Sequence, residues 1–124
     1  MDLGMLESNI RAYFAATWDK TPVYQTNYEP GQDSEWVRLT FLYSDAVFGD
    51  QQTDYENGFL YIDIFVPLKT GTKTSREYAE EIRKLFRNKT IDGIPFTQVS
   101  IKPKGESGGY YHTQVIANFS NFIE

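Results

Sequence analysis

Apolar residues recur along the chain at two periods, and the switches between them mark the elements. In residues 5–18, Leu6, Ile10, Tyr13, Phe14 and Trp18 fall three and four apart, the spacing of one face of an amphipathic helix. Asp2 sits where a cap or a favourable charge at the positive helix start belongs. Thr21-Pro22 ends the segment, because the residue before a proline is pushed out of the helical region. The period then drops to two. Residues 22–28 read as a short strand and residues 29–34 as a turn. Residues 35–44 alternate Val37, Leu39, Phe41 and Tyr43 on one face with Trp36, Arg38, Thr40 and Leu42 on the other. Residues 58–68 carry the strongest strand signal, with Leu60, Ile62, Ile64 and Val66 on one face and Phe59, Tyr61, Asp63 and Phe65 on the other. Both faces are largely apolar, so both are expected to be covered, and Pro67 ends the strand or lies at an edge. Residues 45–57, between these two strands, are expected to form a long polar connection.

Residues 69–73 read as a short turn. Thr74-Ser75-Arg76-Glu77 matches a capping box, in which hydroxyl and carboxylate each accept from the other residue's amide. A helix is expected from there to about Asn88, burying Tyr78, Ile82, Leu85 and Phe86 with Ala79 beside them, and Glu80 and Lys84 stand in the favourable i,i+4 order. Ile91-Asp92-Gly93-Ile94 is a tight turn. Residues 95–103 and 110–122 are the last two strands, joined by a loop over residues 104–109. Tyr111, Thr113, Val115, Ala117 and Phe119 share one face of the final strand. The order α-β-β-β-α-β-β predicts an α+β fold: an antiparallel-rich sheet with two helices packed on one face, in a single domain over residues 1–124. Strands adjacent in sequence are expected to pair, the second with the third and the fourth with the fifth.

Composition narrows the chemistry. The 124 residues suffice for one core without staples. There is no cysteine and one histidine, which excludes disulfides, thiolate metal sites, cysteine nucleophiles and a two-histidine metal site within one chain. The longest apolar run is far too short for a bilayer, and the first residues lack the basic and apolar regions of a secretion signal, so a cytosol-like setting without a membrane is expected. A net charge of −5 disfavours a dedicated nucleic-acid binder. That total hides a polarity, however. Residues 1–68 hold 3 basic and 11 acidic side chains, and residues 69–104 hold 9 basic and 4 acidic. If this separation holds in space, it suits a molecule that stacks head-to-tail on copies of itself or on a charged neighbour.

No constellation for turnover emerges. His112 lies mid-strand without a G-x-S-x-G elbow anywhere, and a satisfied or exposed strand histidine is the simpler reading. Glu77, Glu80 and Glu81 lie opposite a helix's apolar stripe among basic neighbours, as on a solvated face. Gly71-Thr72-Lys73-Thr74-Ser75 lacks the glycine spacing of a P-loop, which leaves only a weak anion site where Lys69, Lys73 and the helix amides converge. Asp45, Asp50, Asp54 and Glu56 lack EF-hand spacing. Neither a cofactor nor a metal is expected, and the chain is not expected to be an enzyme. The 2 Trp, 9 Tyr and 9 Phe are more rings than a domain this size easily buries, which points to protein–protein contact.

One ordered set of residues covers nearly the whole chain. After the first helix come Thr21-Pro22-Val23 and Asn27, then Trp36-Val37-Arg38-Leu39. Gly58 starts the long strand, which closes with Phe65-Val66-Pro67 and Thr70-Gly71-Thr72. Leu85-Phe86-Arg87 follows in the second helix, and Gly109-Tyr110-Tyr111 opens a last strand ending near Phe119. In this order and at this length the chain resembles the tail terminator, or tail completion, proteins of long-tailed phages and prophages. The acidic Asp54-Tyr55-Glu56-Asn57 departs from the more basic character expected there.

The resemblance implies a structural virion protein. It would form a ring, a hexamer in that family, that caps the head-proximal end of the tail tube, stops polymerisation and offers the head connector a docking surface. The implied partners are copies of itself, the major tail tube protein and a head–tail connector or neck protein, with DNA only a transient contact in the lumen. The implied location is the virion tail, and the host cytoplasm during assembly. Three surfaces are expected to serve it. A loop bearing Asp45, Phe48, Asp50, Asp54 and Glu56 would meet a neighbouring subunit or the tube. Lys69, Lys73 and Arg76, at a turn and helix start, would meet an acidic neighbour or line the lumen. Trp36, Tyr61 and Phe65 would pack between subunits. The alternatives are another neck or baseplate ring protein of the tail, or a small ligand-binding module with an aromatic platform.

Overall fold

The computed structural model describes residues 3–25, 35–46 and 54–123. Helix α1 spans Leu3–Thr17, followed by strands β1 (Val23–Gln25), β2 (Trp36–Ala46) and β3 (Asp54–Pro67). A single 3-10 turn (Leu68–Thr70) leads into α2 (Thr72–Phe86), and strands β4 (Thr90–Ile91), β5 (Ile94–Ser107) and β6 (Tyr110–Ile123) complete the chain. The six strands form one sheet in the order β1-β2-β3-β6-β5-β4. Among the described strands β1 alone runs parallel to its neighbour, and every other pair is antiparallel. The architecture is the α+β arrangement that the pattern predicts, with the short β4 added. The two expected pairings are present as β2–β3 and β5–β6, and β3 joins them by pairing with β6 from Asp54↔Ile123 to Pro67↔Tyr110. Pro67 is therefore the last residue of a central strand, where its missing N–H breaks no interior ladder.

Both helices pack on one face of the sheet. Leu6, Ile10, Phe14 and Trp18 from the α1 stripe meet Ala79, Ile82 and Phe86 from α2 over Val37, Leu39, Leu60, Ile62, Ile64, Val66, Val115, Ala117 and Phe119. The Tyr13 hydroxyl donates to the Leu85 carbonyl at 2.6 Å and ties the two helices together. Burial in that contact pushes the Tyr13 pKa up. At Gly58 the Phe119 ring lies directly over the backbone; a Cβ there would stand 2.2 Å from its Cζ. Only glycine fits that position.

Three local expectations are corrected. The connection expected over residues 45–57 is shorter, because β2 continues through Asp45 to Ala46 and β3 begins at Asp54. Register places Asp45 opposite Glu56 as strand partners. The capping box does not form. Helix α2 starts three residues earlier, with Gly71 rather than Thr74 at its N-cap, and Ser75 is buried against Thr113 of β6 at 2.6 Å. Glu77 instead pairs with Lys73 at 3.8 Å, and Glu80 with Arg83 at 3.6 Å rather than with Lys84. The loop expected over residues 104–109 shrinks to the two-residue turn Gly108-Gly109. Both its φ angles are positive, as a hairpin turn matched to strand twist requires, and the extra residue Lys104 is taken up as a bulge between Pro103 and Gly105.

Candidate functional site

Among the described residues no helix or strand packs on the other face of the sheet. The two-sided apolar pattern of residues 58–68 thus covers the core on one side and leaves a surface on the other. Alternation in β2, β3 and β6 sends Trp36, Arg38, Thr40 and Leu42, Phe59, Tyr61, Asp63 and Phe65, and His112, Gln114 and Ile116 to this face. Register then brings them side by side: Trp36↔Phe65↔His112, Arg38↔Asp63↔Gln114, Thr40↔Tyr61↔Ile116 and Leu42↔Phe59↔Asn118.

The first two rows form a closed cluster. Phe65 stacks between Trp36, at 4.2 Å between ring centroids, and His112, at 4.5 Å, while Tyr110 sets its edge against both Trp36 and Phe65. The Arg38 guanidinium lies over the Phe65 ring at 5.3 Å. Asp63 is only 4% exposed. Its Oδ1 accepts from Gln114 Nε2 at 3.0 Å and bonds His112 Nε2 at 2.7 Å, and its Oδ2 faces Arg38 Nη2 at 3.6 Å. Burial alone would raise the Asp63 pKa. The hydrogen bonds from His112 and Gln114 and the charges of His112 and Arg38 outweigh it, and the carboxyl is held below its ordinary range. The ionised form is therefore favoured in the folded chain. Its stabilisation is fully present above the ordinary carboxylate pKa and is lost as pH falls through the lowered value. Asp63→Asn is expected to be about 2 kcal/mol less stable at neutral pH, the scale of hydrogen bonds to a charged group. It should also lose less stability than the native chain on acidification. Urea titrations across that pH range check this, and two parallel acid limbs would contradict it.

The last two rows form an open strip. Leu42 is 48% exposed, and Phe59, Tyr61 and Ile116 are half-buried. Phe59 and Tyr61 lie parallel at 6.4 Å. Four apolar side chains therefore sit contiguously across three strands, flanked by the Asp63 cluster on one side and by Asn118, Asn57 and Ser120 on the other. The buried Trp36 Nε1 has no hydrogen-bond partner among the described residues.

The expected site residues are placed unequally. Trp36 and Phe65 are buried in the chain's own stack, at 6% and 7% exposure, so of the three proposed packing residues only Tyr61 faces outward with open neighbours. Lys69, Lys73 and Arg76 are exposed at the 3-10 turn and the first turns of α2, with Lys73 paired to Glu77. Asp45, Asp54 and Glu56 lie on the adjoining ends of β2 and β3, while Phe48 and Asp50 lie outside the described residues. His112 is a satisfied strand histidine; among the described residues its hydrogen bond goes to Asp63, and no hydroxyl or amine bonds the ring. The buried Asp63 was the one available signal for its cluster, because a carboxylate in an apolar strand needs partners. Finding them required the β3–β6 pairing, which the sequence does not display.

No family model and no curated protein matches this chain. Nine chains of solved structures are similar to it. One of them, whose name describes no activity, aligns over 95% of this chain and 97% of its own length, at 16% identity and a TM-score of 0.63. That likeness establishes the fold alone. Among the described residues no helix is long and apolar enough to cross a membrane.

Proposed function

We propose that this chain is a ring-forming structural subunit of a long-tailed phage tail. It caps the head-proximal end of the tail tube, stops its polymerisation and presents a docking surface to the head connector. The observation that carries this reading is the open apolar strip of Leu42, Phe59, Tyr61 and Ile116, on the sheet face that no described element covers. Contiguous apolar surface of this kind is what a subunit buries against its neighbours. The ordered resemblance along the chain supplies the rest, and the mode of action is steric: an interface that closes by rotation makes a ring, and the ring consumes the open end of the tube.

The ligand-platform alternative fares worse on the same face. On this face Trp36 and Phe65 are stacked against each other, with His112 stacked on Phe65 and Tyr110 edge-on to both, rather than spread around a hollow. The test is light scattering on the isolated chain across concentration. The native chain is expected to form a ring-sized oligomer. Leu42→Gln with Tyr61→Gln is expected to weaken association by about tenfold or more, since interface anchors commonly exceed 1–2 kcal/mol. The fold should stay intact, because Leu42 is exposed and Tyr61 half-exposed. A chain that stays monomeric at every concentration, with tube protein present, contradicts the proposal.

A further inference from the structure

The total charge of −5 conceals a local excess of the opposite sign. From Arg83 to Lys104 there are 6 basic residues and one acid, Asp92. Arg83 is turned to Glu80. Arg87, Lys89, Lys102 and Lys104 are exposed, and none of them makes an ion pair among the described residues. The acids of the adjoining helix are engaged elsewhere: Glu77 with Lys73, Glu80 with Arg83 and Glu81 with Lys20. Asp92 stands at the turn between β4 and β5 and does not line the cleft described next.

The fold gathers these four cations along one edge. The Asn88 N–H donates to the Thr97 carbonyl at 3.2 Å and the Phe96 N–H to the Lys89 carbonyl at 2.7 Å, which holds the end of α2 against the start of β5. There Arg87 and Asn88 share a shallow cleft of about 340 Å³ with Thr97, Gln98 and Ser100. Alternation carries the row onward. Ser100 and Lys102 stand opposite Ile116 and Gln114 on the uncovered face, and Lys104 is the bulge beyond them. From Gln98 on, the outer edge of β5 has no partner strand among the described residues.

The side chains set among the cations are the exposed amides and hydroxyls of Asn88, Thr97, Gln98 and Ser100, and no aromatic ring lines the cleft. A protein-binding surface is built around aromatic and apolar anchors. Phosphate, by contrast, is held by arginine and lysine, by hydroxyl and amide side chains and by backbone N–H groups. Without a ring to stack on, unpaired bases find no platform here. We infer that the β5 edge, through Arg87, Lys89, Lys102 and Lys104, binds the phosphate backbone of duplex DNA without reading its sequence. The net charge does not forbid this. β2 and β3 lie two to three strand spacings from β5, about 10–14 Å, and charges there are screened over about 8 Å at physiological salt. The inference goes beyond the ring-forming reading and does not depend on it.

The experiment is fluorescence anisotropy of a labelled, mixed-sequence DNA duplex titrated with the full-length chain, at salt from about 50 to about 200 mM. About four phosphate contacts predict that the logarithm of the association constant falls with the logarithm of salt at a slope of about −3 to −4. Arg87→Gln with Lys102→Gln is expected to weaken binding about tenfold or more and to make that slope shallower by about 2. Lys69→Gln with Arg76→Gln removes the same charge near the other end of α2, where Arg76 lies about 16 Å along the helix from Arg87, and should change the affinity by less than about twofold. All four positions are exposed, so the fold should survive, and circular dichroism verifies it. Absence of binding at about 50 mM salt overturns the inference. So does an equal loss from the second pair, which would mean a response to net charge alone. Equally tight binding of a polyglutamate peptide also overturns it, by marking the edge as a site for acidic protein. None of these outcomes touches the ring reading, and a native chain that stays monomeric overturns that reading alone.

Discussion

Replacing Phe86 by alanine is expected to lower the stability of the fold by about 4 kcal/mol, within the range for removing a fully buried aromatic ring. Phe86 is completely buried at the last turn of α2. Its ring centroid lies 5.7 Å from that of Tyr13, 6.0 Å from Phe14 and 5.2 Å from Phe96, so one side chain joins α1, α2 and β5. Truncation leaves a cavity whose walls belong to three separate elements, and no single shift can close it. Urea denaturation of the native chain and of Phe86→Ala measures the difference. A loss below about 1.5 kcal/mol, the scale of a volume-conserving swap, would mean that the helices are held to the sheet elsewhere.

The second large effect comes from adding atoms. Gly58→Val is expected to cost about 3 kcal/mol, the upper end of common overpacking penalties. The new Cβ would stand within 2.8 Å of three ring atoms of Phe119. That ring cannot swing aside freely, because Phe41, Tyr43 and Phe96 stand around it at 6.4, 6.1 and 5.5 Å. The penalty should therefore be relieved from the partner side. Gly58→Ala combined with Phe119→Leu is expected to be more stable than Gly58→Ala alone, and denaturation of both variants checks it. If the second change brings no recovery, the clash is not what makes glycine necessary at this position.

Much of this fold was legible because period and burial coincide. Leu6, Ile10, Phe14 and Trp18, with Val37 and Leu39 of β2, Leu60 to Val66 of β3 and Thr113 to Phe119 of β6 on the inner face, are buried as their spacing predicts, while Tyr13, Phe41 and Tyr43 pack half-buried at the rim. Expectations failed where local chemistry competed with tertiary contact. Thr74 and Glu77 fit a capping box by sequence, but α2 begins at Thr72 and takes both inside the helix, with the Ser75 hydroxyl between them held against Thr113, a residue far along the chain and on another strand. Asp45, Asp54 and Glu56 suggest a loop by polarity, but β3 pairs with β6 from Asp54 onward, and β2 pairs with β3 through Asp45. The candidate surface was half legible. Alternation alone puts Tyr61 and Phe65 on one face, but register decides that Phe65 is enclosed by Trp36 and His112 while Tyr61 stays open beside Ile116. Register between β3 and β6 depends on strands separated by a helix and a hairpin, and no local signal encodes it.

The role proposed for this chain needs no turnover: the packed sheet would supply one face for its own core and one for its neighbours. Electron microscopy of tails assembled with and without the chain tests this most directly. The account predicts that the chain forms a ring at the head-proximal end of the tube, and that tubes made without it grow past their normal length. Tails of normal length formed in its absence would contradict it.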